Sequence, residues 1–275
     1  VFLYCLFIIQ FHWGIEGAAW ATISSHLVSS LLIMHFFIKK STPIKINRRH
    51  LHLHFPYVRK IFILGFPPAI MQICNSLMNA ILAWSLSTYG NKSLQPTASM
   101  TGGDIAISAF GIINSVVSIA VLPLMGFVQG TQPILGYNYG AKLFDRVRGT
   151  LKFAYIYSVA FMIIAWAAIQ WKAEVFVAPF APGDLNMQTV TAWGMRVFTK
   201  ALPFVPLGMV AGNFFQGTGK AGLSMFQNAC RQVIMLIPFL IVMPLFFDLQ
   251  GVFMAQPMAD VGAAITGLLL LRWQL

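Results

Sequence analysis

The sequence predicts an all-α integral membrane protein, a polytopic bundle of seven full spans preceded by the remnant of another helix. Three observations predict this class. Of the 275 residues, 58% are hydrophobic and only 9% are charged, whereas soluble domains carry about 25% charged residues. Apolar runs of about 20 residues, enough to cross a bilayer as a helix, recur along the chain. Lys and Arg are concentrated in the short segments that follow alternate runs.

The apolar runs define the predicted elements in order. The opening VFLYCLFIIQF is interpreted as the end of a preceding membrane helix, and the sequence therefore as a fragment without its N-terminal part. The predicted spans are Ala18–Phe37, Ile61–Leu86, Ile105–Leu135, Leu151–Trp171, Thr191–Phe215, Leu223–Phe247 and Gly251–Leu271. Many contain proline, which membrane helices tolerate where neighbouring helices or a cavity satisfy the freed backbone groups. Bent helices around a cavity are expected.

The basic residues predict the orientation of these spans. One side of the membrane has only Lys92, Lys172 and Arg196 in its loops. The other side receives the segment 39–60 and the residues Lys142, Arg146, Arg148, Lys152, Lys220, Arg231 and Arg272. Cytoplasmic loops carry the excess of Lys and Arg, so this second side is predicted to be cytoplasmic.

Several functional classes are excluded by the same pattern. The net charge of +11 does not indicate nucleic-acid binding, because no polar domain carries a basic face. The three cysteines match no metal or redox spacing. The alternating His50–His54 stretch has no Cys or carboxylate nearby, and it is interpreted as part of a solvated linker rather than as a metal site. No metal, cofactor or enzymatic constellation is predicted.

Four stretches resemble the multidrug and toxic compound extrusion (MATE) family. QGTQPILGYNYGAKLFDRVRGTLK, within the glycine-rich segment 126–152, is similar to the inner end of that family's eighth helix. GIEGAAWATISSH resembles the start of the sixth helix, FFQGTGKAGLSMFQNACRQVIMLIP the turn between the tenth and eleventh, and GVFMAQPMADVGAA the twelfth. The order and spacing agree over nearly the whole chain.

The resemblance implies the second part of a twelve-helix, two-lobe transporter in the bacterial inner membrane. Residues 1–38 would end the N-terminal lobe, residues 39–59 would form the cytoplasmic linker between lobes, and residues 60–275 would form the C-terminal six-helix lobe. It further implies a monomer that exports drug-like organic cations by alternating access in exchange for H⁺ or Na⁺. A related flippase for lipid-linked saccharides remains the alternative. Some members of the family place a sodium-binding acid in the tenth helix, and the corresponding stretch here, LPFVPLGMV at residues 202–210, has none.

Two charged residues within the apolar runs are the leading candidates for an ion or substrate site. Asp260 lies near the middle of the seventh span, where an acid is expected to face a cavity or a partner. Its alternative role is that of a structural acid at the bend of Pro257. Lys200 lies at a comparable depth in the fifth span, and a Lys200–Asp260 ion pair is a hypothesis.

Amide side chains form the second group of candidates. Gln72, Asn75 and Asn79 share one helix face and are expected either to line a cavity or to bond neighbouring helices. Asn213, Gln216, Gln129 and Gln132 are predicted at the inner vestibule. A hinge or inner gate is predicted at the small and cyclic residues that surround them, Gly126, Gly130, Pro133, Gly136 and Gly140.

Overall fold

The computed structural model of the chain describes Phe7 and residues 13–38, 55–97 and 100–274. The opening remnant apart from Phe7, and residues 39–54 of the predicted linker with its histidines, lie outside the described residues. Within these ranges the structure is helical, and the one β interaction is an isolated bridge between Thr97 and Met100. The predicted all-helical class is confirmed.

The chain divides into two compact units, Val1–Ile63 and Leu64–Leu275. In the first unit, α1 (Gly14–Ile38) contains the predicted span Ala18–Phe37. Its large apolar side chains are exposed, with Leu31 at 64% and Leu32 at 66% of their full accessibility. A contiguous apolar surface of this kind is typical of a helix that contacts lipid.

Helices α2 (Phe55–Ser93) and α3 (Gly102–Gly140) both extend beyond the predicted spans. Glycines permit close contact between the end of α2 and the start of α3, because a Cβ on Gly102 would lie only 2.6 Å from the carbonyl oxygen of Gly90. The amide of Gly103 donates to Oδ1 of Asn91 at 2.7 Å. The two helix ends are therefore held in direct backbone contact.

Helix α4 (Phe144–Val177) contains the predicted span Leu151–Trp171, and its geometry becomes non-helical at Lys172. The predicted fifth span, Thr191–Phe215, is not one regular helix, in keeping with the expectation of bent helices. That region forms α5 (Leu185–Phe198), a 3₁₀ turn (Leu202–Phe204) and α6 (Val205–Gly217), with a bend of 40°. Pro203 and Pro206 lack the amide hydrogens that would continue the helix through this point.

The last part of the chain is an antiparallel hairpin. It consists of α7 (Ala221–Ala229), a π-helix (Cys230–Leu236) and α8 (Ile237–Gln274). The helical path reverses within α8 at Asp248, where φ is 47° and ψ is −133°. The Cβ position of Gly251 lies 2.3 Å from the carbonyl oxygen of Met243, and further along Arg231 contacts Asp260 and Lys220 contacts Gln274. These contacts join residues at increasing sequence distance on the two sides of Asp248. The segments before and after Asp248 therefore run antiparallel and form the two arms of the hairpin.

By length and hydropathy, three helical stretches among the described residues can cross a membrane, namely α3, α4 and the run Ala221–Gln274. The bent pair of α5 and α6 makes a fourth if it counts as one span. The run Ala221–Gln274 would measure about 80 Å if straight, against a hydrocarbon thickness of about 30 Å. Because it folds back at Asp248, each arm alone is close to the length of one crossing.

Candidate functional site

A cavity of about 310 Å³ lies inside the second unit between α2, α3, the α5–α6 bend and the final hairpin. Its apolar lining includes Phe110, Phe198, Met78, Met125 and Met209. Methionine and aromatic side chains adapt to ligands of different shape. The cavity can therefore hold an apolar body of variable outline.

The polar centre of the cavity is an ion pair between Arg231 and Asp260. Nε of Arg231 donates to Oδ1 of Asp260 at 2.7 Å, and Nε2 of Gln256 donates to the same oxygen at 3.2 Å. The Asp260 side chain is only 7% exposed, whereas that of Arg231 is 32% exposed. The carboxylate therefore lies beneath the guanidinium, and Arg231 is its main counter-charge.

Irregular backbone positions both members of the pair. Arg231 belongs to the π-helix Cys230–Leu236, a geometry that is rare and frequent at functional sites. Asp260 follows Pro257 within α8, where a missing amide hydrogen weakens the helix. Each charge thus lies on a helix segment that can change its local geometry more easily than a regular helix.

Further polar groups line the cavity around this pair. Asn79 of α2, Asn114 and Ser118 of α3, and Gln256 of α8 contribute amide or hydroxyl groups. They allow the cavity to satisfy hydrogen bonds from a ligand without adding charge.

The three amides predicted on one face of α2 differ in their surroundings. Asn79 is among the cavity-lining residues. Asn75 is half-buried, and its Oδ1 is a buried atom without a hydrogen-bond partner within the described parts of the chain. Gln72 is exposed on the same helix.

The hypothesis of a Lys200–Asp260 ion pair is wrong, because Asp260 forms its ion pair with Arg231. Lys200 lies in the break between α5 and α6 and is exposed. The comparable depth of Lys200 and Asp260 was counted along straight helices. Because the chain bends at this break, Lys200 and Asp260 do not meet. The nearby Arg196 pairs with Glu174 at 2.7 Å.

The predicted vestibule amides fall into two groups. Asn213 is buried and its Nδ2 donates to the carbonyl oxygen of Val128, which ties α6 to α3. Gln132 is half-buried against Gly217. Gln129 and Gln216 are exposed.

The predicted hinge residues also differ from one another. A Cβ on Gly136 would lie 2.6 Å from the carbonyl oxygen of Gly217, so this glycine permits close contact between α3 and α6. Gly126, Gly130 and Gly140 have open space at the same position, and Pro133 is exposed. Of the four glycines, Gly136 alone lies at a close helix contact, and the other three have room for a larger side chain.

Sequence reasoning missed several cavity residues. Arg231 was assigned to a cytoplasmic turn, although its position within the apolar run Leu223–Phe247 was a signal for a buried charge. Asn114 and Ser118 are separated by four residues and share a helix face with Phe110. Gln256 precedes Asp260 by one helical turn. A search for polar pairs at helical spacing would have found these three.

A sequence model of the MatE family matches residues 67–242, which is more than half of the chain. The chain belongs to the MatE family. This match extends from α2 into the final hairpin and includes Arg231, while Asp260 lies beyond its end. The suspected resemblance is confirmed.

Curated relatives of this MatE protein are multidrug export proteins. Multidrug export protein MepA of Staphylococcus saprophyticus is 24% identical over 270 residues, covering 98% of this chain and 56% of the relative. The MepA protein of Staphylococcus haemolyticus is 24% identical over 259 residues, covering 94% and 54%. The chain therefore spans about half the length of the relatives it matches.

Solved structures agree in fold. An outward-facing multidrug resistance MATE family transporter of the MOP superfamily superposes with a TM-score of 0.80 at 22% identity, over 99% of this chain and 58% of the other. A MOP superfamily transporter from Pyrococcus furiosus, described as having a binding pocket of reverse polarity, also superposes with a TM-score of 0.80 at 22% identity. This superposition covers 99% of this chain and 59% of the other. These similarities place the chain in the helical transporter fold.

Proposed function

We propose that this chain is the C-terminal portion of a secondary antiporter that exports drug-like organic cations in exchange for H⁺ or Na⁺. The observation that carries the proposal is the Arg231–Asp260 pair at the cavity. A buried carboxylate without a counter-charge costs several kcal/mol, so Asp260 requires a positive partner or a proton in every state. A proton, Na⁺ or a cationic substrate can each replace Arg231.

Exchange follows from competition between the coupling ion and the substrate for the Asp260 carboxylate. Asp260 is too buried to hold two cationic partners side by side, so binding of the coupling ion and of the substrate exclude each other. Arg231 neutralises the carboxylate between these two occupied states. The π-helix supports this role, because π segments can shift the register of the residues they carry.

The proposal includes the membrane arrangement expected from the sequence. Seven spans cross the bacterial inner membrane, with residues 1–38 ending one lobe, 39–59 linking the lobes and 60–275 forming the second lobe of a monomer. The exposed glycines Gly126, Gly130 and Gly140 then act as the flexible inner section of α3. The whole transporter needs both lobes to enclose a substrate.

A flippase for lipid-linked saccharides is the alternative function. Such a protein needs a strongly cationic cavity to hold a pyrophosphate. Among the described residues that line the cavity, Arg231 is the one cation, and Asp260 balances its charge. Lys200 and Arg196, the other cations considered, do not line the cavity. The balanced charge favours the organic-cation antiporter.

Ethidium efflux by the full-length protein in proteoliposomes tests the proposal. Efflux is expected under an inward H⁺ gradient or an inward Na⁺ gradient, and the gradient that drives it identifies the coupling ion. Asp260→Asn should abolish gradient-driven efflux. The double charge reversal Arg231→Asp/Asp260→Arg serves as a control that retains a balanced pair. Absence of efflux under either gradient contradicts the proposal.

A further inference from the structure

A second, larger concavity of about 690 Å³ lies where α3 ends and α4 begins. Three cationic residues line it, Lys142, Arg146 and Arg148. Its apolar surface includes Tyr139, Leu143 and Phe144, and the last two side chains are exposed at 42% and 46%. We name this feature the basic cleft. It is separate from the cavity of Asp260 and shares no residue with it.

The charges of the basic cleft favour an anionic ligand. Asp145 is the single acid among the described residues that line the cleft, and Lys142 and Arg146 alone outnumber it. The cleft also contains the N-terminus of α4, whose N-cap residue Leu143 offers no side-chain acceptor to the first amides. Uncapped amides at a helix N-terminus stabilise an anion. Asp145 lies in the first turn of α4 and already offsets part of this attraction, so the cationic side chains are the main attraction for an anion.

A fourth cation, Lys220, contacts two of the residues that line the cleft, Tyr139 and Gln274. Nζ of Lys220 lies 5.0 Å from the ring centroid of Tyr139 and donates to Oε1 of Gln274. The Tyr139 ring packs edge-on against Phe144 at 5.8 Å and against Phe214 at 5.9 Å. The ends of α3, α6 and α8 and the start of α4 thus meet around one aromatic ring, which gives the cleft a defined shape.

We propose that the basic cleft binds the phosphate of an anionic phospholipid headgroup. A lipid is favoured over a soluble anion because exposed apolar side chains adjoin the cations. Leu143 and Phe144 line the cleft and present exposed apolar surface beside the basic residues, as a molecule with an anionic head and apolar chains requires. Clusters of Lys and Arg beside a membrane helix attract anionic lipids. A bound lipid bridges the ends of α3, α4 and α8.

Native mass spectrometry of the detergent-solubilised full-length protein tests the proposal with dioctanoyl phosphatidylglycerol and dioctanoyl phosphatidylcholine as probes. Phosphatidylglycerol should bind in preference to phosphatidylcholine. Lys142→Gln/Arg146→Gln should weaken its binding by about tenfold, since each basic residue contributes to the attraction. The charge-conserving variant Lys142→Arg/Arg146→Lys should retain binding and shows that the altered positions tolerate substitution.

The matched control removes the same charge outside the cleft. Lys152 and Arg272 are exposed and do not line it, and Lys152→Gln/Arg272→Gln should change phosphatidylglycerol binding by less than about twofold, because only a diffuse surface attraction is lost. Equal losses in both double variants overturn the proposal. Equal binding of the two lipids, or displacement of phosphatidylglycerol by millimolar inorganic phosphate, also overturns it. Each readout is independent of transport.

Discussion

Arg231 and Asp260 are 29 residues apart in sequence and form a 2.7 Å ion pair because the chain folds back at Asp248. The pair joins the two arms of the final hairpin and also borders the cavity. One interaction therefore serves both the packing of the hairpin and the polarity of the candidate site.

The first prediction concerns the energy of this pair. Arg231→Met should lower the free energy of unfolding by about 3 kcal/mol, because it leaves the buried Asp260 carboxylate without a counter-charge. Asp260→Leu should cost less, because the Arg231 side chain that it leaves unpaired is 32% exposed. The double variant should be much less destabilised than the sum of the two single variants. Denaturant unfolding in detergent micelles measures all three.

The exposed pair of Lys92 and Asp248 is the control for this cycle. Its side chains are 67% and 48% exposed at a separation of 2.6 Å, and exposed ion pairs contribute little to stability. Lys92→Met should leave unfolding nearly unchanged. Additive losses at Arg231 and Asp260 would show that the two charges do not stabilise each other.

The second prediction separates two glycines of α3. Gly136→Ala should destabilise the fold by about 1–3 kcal/mol, because the new methyl group overlaps the backbone of Gly217. Gly130→Ala meets no atom within 4 Å and should stabilise the helix by up to about 1 kcal/mol. The same unfolding measurement compares them, and equal effects would disprove the close contact at Gly136.

A functional consequence follows for Gly130 if α3 bends during transport. Gly130→Ala should reduce ethidium efflux by the full-length protein while leaving stability unchanged or higher, because alanine stiffens the helix. Transport at the rate of the parent protein would remove Gly130 from the proposed hinge.

The third prediction concerns the buried amide of Asn213. Asn213→Ala should lower the free energy of unfolding by about 1 kcal/mol, the typical value of an interhelical hydrogen bond, because the bond to Val128 is lost. Gln216→Ala is the matched control on the same helix, since Gln216 is exposed. A larger effect at Gln216 would contradict the assignment of Asn213 as the tie between α6 and α3.

The fourth prediction concerns pH and the capping box of α3. Hydrogen bonds from the hydroxyl and then the amide of Thr101 hold the pKa of Asp104 below its usual range. The carboxylate therefore stabilises the fold above its unfolded pKa of about 3.9, and this contribution disappears as pH falls through the lowered value. At pH 7 the melting temperature of the parent protein should be higher than that of the Asp104→Asn variant, and this difference should vanish in acid. A difference independent of pH would exclude the ionised cap.

The sequence by itself determined the helical membrane class, the family and the position of an acid, Asp260, within an apolar run. Runs such as Ile105–Leu135 and Leu151–Trp171 are long and apolar enough to predict helices without knowledge of their neighbours. An acid such as Asp260 within such a run predicts a buried polar site, because the cost of burial applies wherever the helix packs. These properties depend on local composition, which the printed residues contain in full.

Only the tertiary structure decided which groups meet. The break at Lys200 and the reversal at Asp248 determine that Asp260 pairs with Arg231, and neither angle can be read from hydropathy. Gly130 and Gly136 look alike in sequence, yet only Gly136 contacts another backbone. Partner choice and close packing depend on the directions of helices that are distant in sequence, and for this reason local patterns predicted the candidates but not their contacts.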